Sequence, residues 1–289
     1  MKKAAASGHA ALKDRWESME NDGDNIRKWS LAEKTGLAAI GTAALLTAAD
    51  PLLAVLPLGA FLLLCLAAPF FTRLSFYLPI ISRGTSGKQV VALTFDDGPD
   101  PVSTPELLRL LDEHRVPATF FVSGHKAAAH PELIREIIRR GHDLGNHSYS
   151  HDIFIMFKGR KALRAEIEAT QRILGAHGIQ PLTFRPPVGI TNPLLGPVLK
   201  GAGMFAVNFS CRAADLGNRR IRKLADRILN RIRPDDIVVL HDIRPADPEL
   251  LPYWLKEIER MIAGIEAKGL AVVPLANIIG RPVMGPSNP

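Results

Sequence analysis

Between Gln89 and Val273 the chain alternates short apolar runs with longer stretches of helical spacing, and this alternation constrains the fold more than any other feature. Residues 89–94, 118–123, 142–147, 182–185, 204–209, 236–241 and 270–273 read as strands. Residues 104–114, 131–140, 158–175, 192–201, 218–231 and 248–267 read as helices. A strand, a helix and a further strand in succession pair as a parallel unit. Seven such strands predict an α/β fold, a distorted (β/α)7 barrel related to the TIM barrel, preceded by an N-terminal membrane-anchoring helical segment. The runner-up is an open doubly wound sheet. Its usual ligands need a glycine-rich phosphate loop after the first strand, and Asp96-Asp97-Gly98-Pro99 is not one.

The anchor is expected from Leu37 to Phe71, where Asp50 is the only charge. Leu52–Phe71 is a run of 20 uncharged residues, long enough to cross a bilayer. Leu37–Ala49 is marginal as a second span and reads as half of a hairpin turning at Asp50-Pro51. A cleaved signal peptide fits poorly, because a long polar arm with Lys2, Lys3, Lys13, Arg15, Arg27 and Lys28 precedes the run. One span would put the rest of the chain outside the cytoplasm, and two would keep it inside. The expected segments are a basic arm over 1–35, a transmembrane segment over 36–72, a linker over 73–87, a catalytic domain over 88–280 and a tail over 281–289. The net charge of +7 suits an anionic bilayer or a phosphate-bearing substrate. No motif or basic-aromatic stripe points to nucleic acid. The two cysteines, Cys65 and Cys211, make no disulfide framework.

The conspicuous polar residues fall at the C-terminal ends of the expected strands, where barrel enzymes build their sites. Asp96 and Asp97 end the first strand, and His147 and His151 follow the third. Arg185 ends the fourth, Asp215 follows the fifth, and His241 ends the sixth. Paired carboxylates at the end of a buried strand cost several kcal/mol of desolvation unless something compensates them. A metal ion does so, leaving one carboxylate free as a base. His147 and His151, four apart, share a face if their loop coils as a helical turn. With one carboxylate they make a two-histidine, one-carboxylate metal site with open positions. Arg185-Pro186-Pro187-Val188-Gly189 is a rigid strand exit that can hold a guanidinium near a carboxylate and offer a backbone N–H to an oxyanion. Asp215 is a partner able to keep His241 protonated. His125, after the second strand, is a secondary candidate for the cleft.

With Thr94-Phe95-Asp96-Asp97-Gly98, His147-Ser148-Tyr149-Ser150-His151, Arg185-Pro186-Pro187-Val188-Gly189, Asp215 and Leu240-His241 in order, the chain resembles the polysaccharide deacetylase family over roughly residues 86–280. That family includes the NodB-homology domain of chitooligosaccharide, chitin and peptidoglycan deacetylases. The resemblance implies Asp96 as general base, and Asp97, His147 and His151 as ligands of a divalent metal, usually Zn2+. It implies Arg185 as the residue orienting the base, the Val188 N–H at the oxyanion, and His241 as the acid with Asp215 setting its charge. Val188 stands where the family usually has Tyr, Leu216 where it often has Trp, and Arg212 where it often has Asp. With Pro187 these positions shape the acetyl pocket or sugar-binding wall.

The function implied is metal-dependent removal of N-acetyl groups from amino sugars of a polysaccharide or glycan. The alternatives are a deacetylase or deformylase of a lipid-linked amino sugar at the inner membrane, and a non-catalytic carbohydrate-binding protein on the same fold. The expected partners are the glycan or lipid-linked sugar and the membrane. The expected location is a bacterial inner membrane with the catalytic domain outside the cytoplasm.

Overall fold

The computed structural model describes residues 29–287. Most of the expected basic arm therefore lies outside the described residues. Helix α1 (Leu31–Thr47) opens with a capping box: the Ser30 hydroxyl accepts from the Glu33 N–H, and the Glu33 carboxylate accepts from the Ser30 N–H. Asp50 caps a single 3-10 turn, Pro51–Ala54, which leads into α2 (Val55–Ala67). The two helices pack as a hairpin. Gly36 of α1 makes room for the Phe61 ring of α2, since a Cβ there would lie 2.9 Å from the ring. Their outer faces carry exposed Leu37, Ile40, Leu45, Leu56, Leu62, Leu63 and Leu66. Within this hairpin, Pro51–Phe70 is long and apolar enough to cross a membrane, by length and composition, with a mean hydropathy of 2.4.

The domain that follows is built on β1 (Ile80–Ile81), β2 (Val90–Asp96), β3 (Ala118–Val122), β4 (Asp143–Asn146), β5 (Ile179–Pro181), β6 (Thr183–Phe184), β7 (Phe205–Val207), β8 (Cys211–Arg212), β9 (Ile237–His241), β10 (Ala271–Val272) and β11 (Met284–Pro286). Eight strands pair in parallel in the order β1-β7-β6-β4-β3-β2-β9-β8, and β10 joins the first residues of β2. β5 and β11 form a separate antiparallel pair. β7 is second in this order and β8 last, yet only residues 208–210 separate them. Consecutive Cα atoms are about 3.8 Å apart, so the sheet must curl until its two ends nearly meet. The Asn208 N–H bonds to Ile81 O at one end, and the Ser210 N–H to Ile237 O at the other. No ladder joins β1 to β8 among the described residues, so the result is an incomplete parallel barrel with helices on its outer face.

Strand parity divides the core. In β2, Val91, Leu93 and Phe95 face outward into the main cluster, with Leu107, Leu111, Trp254, Ile258 and Met261. These come from amphipathic α3 (Ser103–Glu113) and, after α4 (Gly124–Ala129), α5 (Pro131–Arg139), α6 (Arg160–Gly175), α7 (Leu195–Gly201) and α8 (Leu224–Leu229), from α9 (Leu251–Ala267). Ala92 faces inward, with Phe121, Phe209 and Val239. Leu275 and Ile278 of α10 (Leu275–Ile279) belong to the same inner cluster. The alternation of period two then carries Thr94 and Asp96 inward, and likewise Gly145 and His147, Arg185, and His241.

Three expectations change. Residues 73–87, expected as a linker, are packed into the domain: Phe76 and Leu78 are buried and Ile80–Ile81 form an edge strand. The expected tail supplies β11. The helix expected over 218–231 is confined to Leu224–Leu229, because Leu216, Asn218 and Lys223 adopt left-handed backbone angles that a helix cannot include.

Candidate metal-dependent active site

One cleft of about 1100 Å3 opens at the C-terminal ends of the strands. Asp96, Asp97, His147, His151, Val188, Asp215, Leu216 and His241 all line it. Arg185 lies beneath its floor and is completely buried. Pro187 is buried, and its carbonyl accepts from the Ile190 N–H at the turn that presents Val188. His125 does not line the cleft; its Nδ1 lies 2.7 Å from Tyr149 O.

Asp96 and His241 are register partners on adjacent strands β2 and β9, so backbone pairing alone sets them side by side. Arg185 Nη1 donates to Asp96 Oδ1 at 2.6 Å and to Thr94 Oγ1 at 2.7 Å, Nη2 to Asn208 O at 3.1 Å, and Nε to Val207 O at 3.3 Å. The guanidinium also stacks 3.9 Å from the Phe121 ring centroid. Gly145 is required here, because a Cβ at that position would lie 2.5 Å from the Phe121 ring that supports Arg185. A buried charge this completely partnered is rigid, and it fixes the orientation of the Asp96 carboxylate.

Asp97 follows with φ of 71°, which turns its side chain into the cleft. Its Oδ1 lies 2.8 Å from His151 Nε2 and 3.3 Å from His147 Nε2. The backbone carbonyl of Arg185 lies 2.7 Å from His147 Nδ1. A carbonyl only accepts, so Nδ1 carries the hydrogen and Nε2 presents its lone pair to the cleft. Burial would raise the Asp97 carboxyl, but the two imidazoles beside it hold it well below the usual carboxylate range. His147 is raised: burial works against its charge, and the neighbouring Asp96 and Asp97 carboxylates override it. Asp97 Oδ1 is buried and makes no geometrically sound hydrogen bond. A buried carboxylate oxygen crowded by the Nε2 atoms of two imidazoles is an arrangement that a cation would complete. Asp97, His147 and His151 offer three ligand atoms within 4.8 Å of one another, a set suited to a divalent metal.

The two histidines do not converge through a helical turn. Asn146 Oδ1 accepts from the Ser148 N–H, Ser148 Oγ accepts from the His151 N–H, and Ser148 and His151 both have positive φ. Val188 is also left-handed, at φ 52°, which is rare for a β-branched residue and is backbone strain kept at the cleft wall. Its N–H is absent from the turn's hydrogen bonds, which run from Gly189 to Pro186 and from Ile190 to Pro187.

Across the cleft, Asp215 lies 2.9 Å from His241 Nδ1. Burial lowers the histidine's proton affinity, but the Asp215 contact and the Asp97 and Asp96 charges raise its pKa to about 9. Asn218 holds this arrangement by donating to the carbonyls of His241 and Ile243. Asp242, pointing the other way, accepts from Ser103 and Thr104 at the start of α3, and its N–H bonds to Asp96 O.

The polysaccharide deacetylase family profile matches residues 83–207. The chitooligosaccharide deacetylase of Sinorhizobium fredii is 38% identical over 172 residues, which cover 59% of this chain and 80% of that protein. The chain belongs to the polysaccharide deacetylase family. Another relative of this deacetylase-family chain, the peptidoglycan-N-acetylglucosamine deacetylase of Bacillus cereus, is 31% identical over 54% of this chain and 74% of its own length. The crystal structure of a peptidoglycan N-acetylglucosamine deacetylase bound to a hydroxamate-type benzamide superposes with a TM-score of 0.65 at 28% identity, covering 71% of this chain and 94% of that one. The resemblance drawn from the sequence and the parallel-strand fold therefore agree, and the chain is a hydrolase of this family.

Proposed function

We propose that the chain is a metal-dependent N-deacetylase of amino-sugar glycans. The observation that carries this reading is the juxtaposition of the Asp97–His147–His151 cluster with Asp96 on one side and the His241–Asp215 pair on the other. A divalent ion held by the cluster, Zn2+ by its preference for two imidazoles and a carboxylate, would supply electrophilic assistance to the acetamide carbonyl and acidify a water.

Asp96 is placed to accept a proton from the attacking water, while Arg185 keeps its Oδ1 engaged and its other oxygen directed to the cleft. The Val188 N–H, unpartnered in its turn, is available to the oxygen that gains charge as the carbonyl is attacked. His241 donates its proton to the sugar nitrogen as the C–N bond breaks, releasing acetate and a free amine. Leu216 and Val188, both more than half exposed, form the wall against which the sugar and its acetyl methyl pack. The helical hairpin anchors this domain to a bacterial inner membrane, a reading supported by its exposed apolar faces.

Stripping the metal with a chelator is expected to abolish acetate release from chitooligosaccharide, and Zn2+ is expected to restore it. Full activity in protein shown by elemental analysis to hold no metal would overturn the proposal. The acid role has its own signature. His241 must be protonated to donate, so the rate should fall as pH rises through about 9. Asp215→Asn removes the main raising partner, so the falling limb should move down toward the ordinary histidine value of about 6.5 and cost about an order of magnitude in rate at pH 8. A limb that stays in place would show that another group donates the proton.

A further inference from the structure

The cleft contains charge that the deacetylation chemistry does not use. Arg212, Arg219 and Arg244 all line it and are all exposed. Among the described residues none of the three makes an ion pair or a side-chain hydrogen bond, whereas Arg185 beneath the same cleft is fully partnered. They converge through the backbone. Arg212 ends β8 and is the register partner of Val239 on β9, two residues before His241. Asn218 ties its loop to the carbonyls of His241 and Ile243, which places the next residues of the two segments, Arg219 and Arg244, at the same rim. Three exposed arginines with no ion pair along one cleft wall make that wall electropositive and receptive to an anion.

The opposite rim is apolar. Ile153, which lines the cleft, is exposed, as are Phe154 and Phe157 beyond it. Gly189, also in the cleft wall, touches Thr72, and Asn208 Nδ2 donates to the carbonyls of both. The apolar hairpin therefore ends directly beside the cleft mouth.

We propose that Arg212, Arg219 and Arg244 form an anion subsite, and that the acetamido sugar hydrolysed here carries a phosphate ester next to its ring. This rests on the deacetylase reading above and adds the substrate class to it. The phosphate belongs either to a soluble sugar phosphate or to a lipid headgroup, and the position of the hairpin favours the second.

The test uses the full-length, Zn2+-loaded chain in lipid nanodiscs. Three substrates are compared by acetate release: the methyl glycoside of N-acetylglucosamine, N-acetylglucosamine 1-phosphate, and the same sugar on a polyprenyl phosphate. The wild type is expected to prefer the 1-phosphate to the methyl glycoside by about tenfold or more in kcat/KM. In the triple variant R212Q/R219Q/R244Q that preference should collapse toward unity, and in R212K/R219K/R244K it should partly survive. No preference in the wild type, or a preference undiminished in the glutamine variant, overturns the subsite. Faster hydrolysis of the polyprenyl substrate identifies a lipid headgroup as the source, and equal rates identify the free phosphate. If no substrate is cleaved, the deacetylase reading fails on its own. Equilibrium binding of the 1-phosphate, weakened about tenfold by the glutamine substitutions or unchanged by them, then decides the subsite separately.

Discussion

Asp96→Asn is expected to lower kcat by about two to four orders of magnitude while the protein still binds one metal ion. The expected size is that of removing a positioned general base. Retention of the metal follows from geometry. Asp96 Oδ2 lies 4.0 Å from His147 Nε2 and is outside the ligand cluster, whereas Asp97 is within it. An asparagine carbonyl can still accept from Arg185, so the side chain keeps its orientation and loses only its basicity. Elemental analysis and acetate release, measured on the same preparation, check both halves. Activity within about threefold of wild type would remove Asp96 from its role as base. Loss of the metal along with activity would instead move Asp96 into the ligand set.

The second large effect is on the fold. Arg185→Met should destabilise the metal-free protein by about 3–5 kcal/mol, the usual cost of leaving one member of a buried ion pair uncompensated. Arg185 is wholly buried, and its guanidinium answers Asp96, Thr94 and the carbonyls of Val207 and Asn208. Without it, Asp96 is left as a buried carboxylate without its cation, and two carbonyls lose their donors. Urea denaturation with and without bound Zn2+ measures this. The loss should shrink when the metal is present, because the ion returns positive charge beside Asp96. A loss below about 1 kcal/mol in the metal-free protein would mean that the guanidinium is not the compensating charge.

Much of this site was legible in the sequence because strand parity and strand ends are both written there. Asp96, Arg185 and His241 each end a largely apolar strand, His147 follows the short strand Asp143–Asn146, and alternation along each strand decides that they point inward. The supporting residues were less accessible. Asn208 and Asn218 are single amides in loops, and nothing local marks them as holding Arg185's strand and His241's loop. Asp242 follows His241 directly, and its position after a buried strand was a usable signal. The strand at Ile80–Ile81 was hidden by its shortness and by the glycines and serines that follow it. The histidine loop was expected to coil, since spacing of four suggests a turn of helix. Asn146 and Ser148 compete for the backbone N–H groups and bend it otherwise.

The helical hairpin has a consequence for sidedness. α1 and α2 run antiparallel, with Gly36 against Phe61 and the Ala32 N–H bonded to Phe76 O, so the chain leaves the hairpin close to where it entered. If the pair inserts as a unit, Ser30 and the cleft after Thr72 face the same aqueous compartment. The lysines and arginines of the leading segment would then choose that compartment for the active site as well, and positive residues are retained in the cytoplasm. The cleft would then sit against the headgroups on the side of the bilayer from which the hairpin enters.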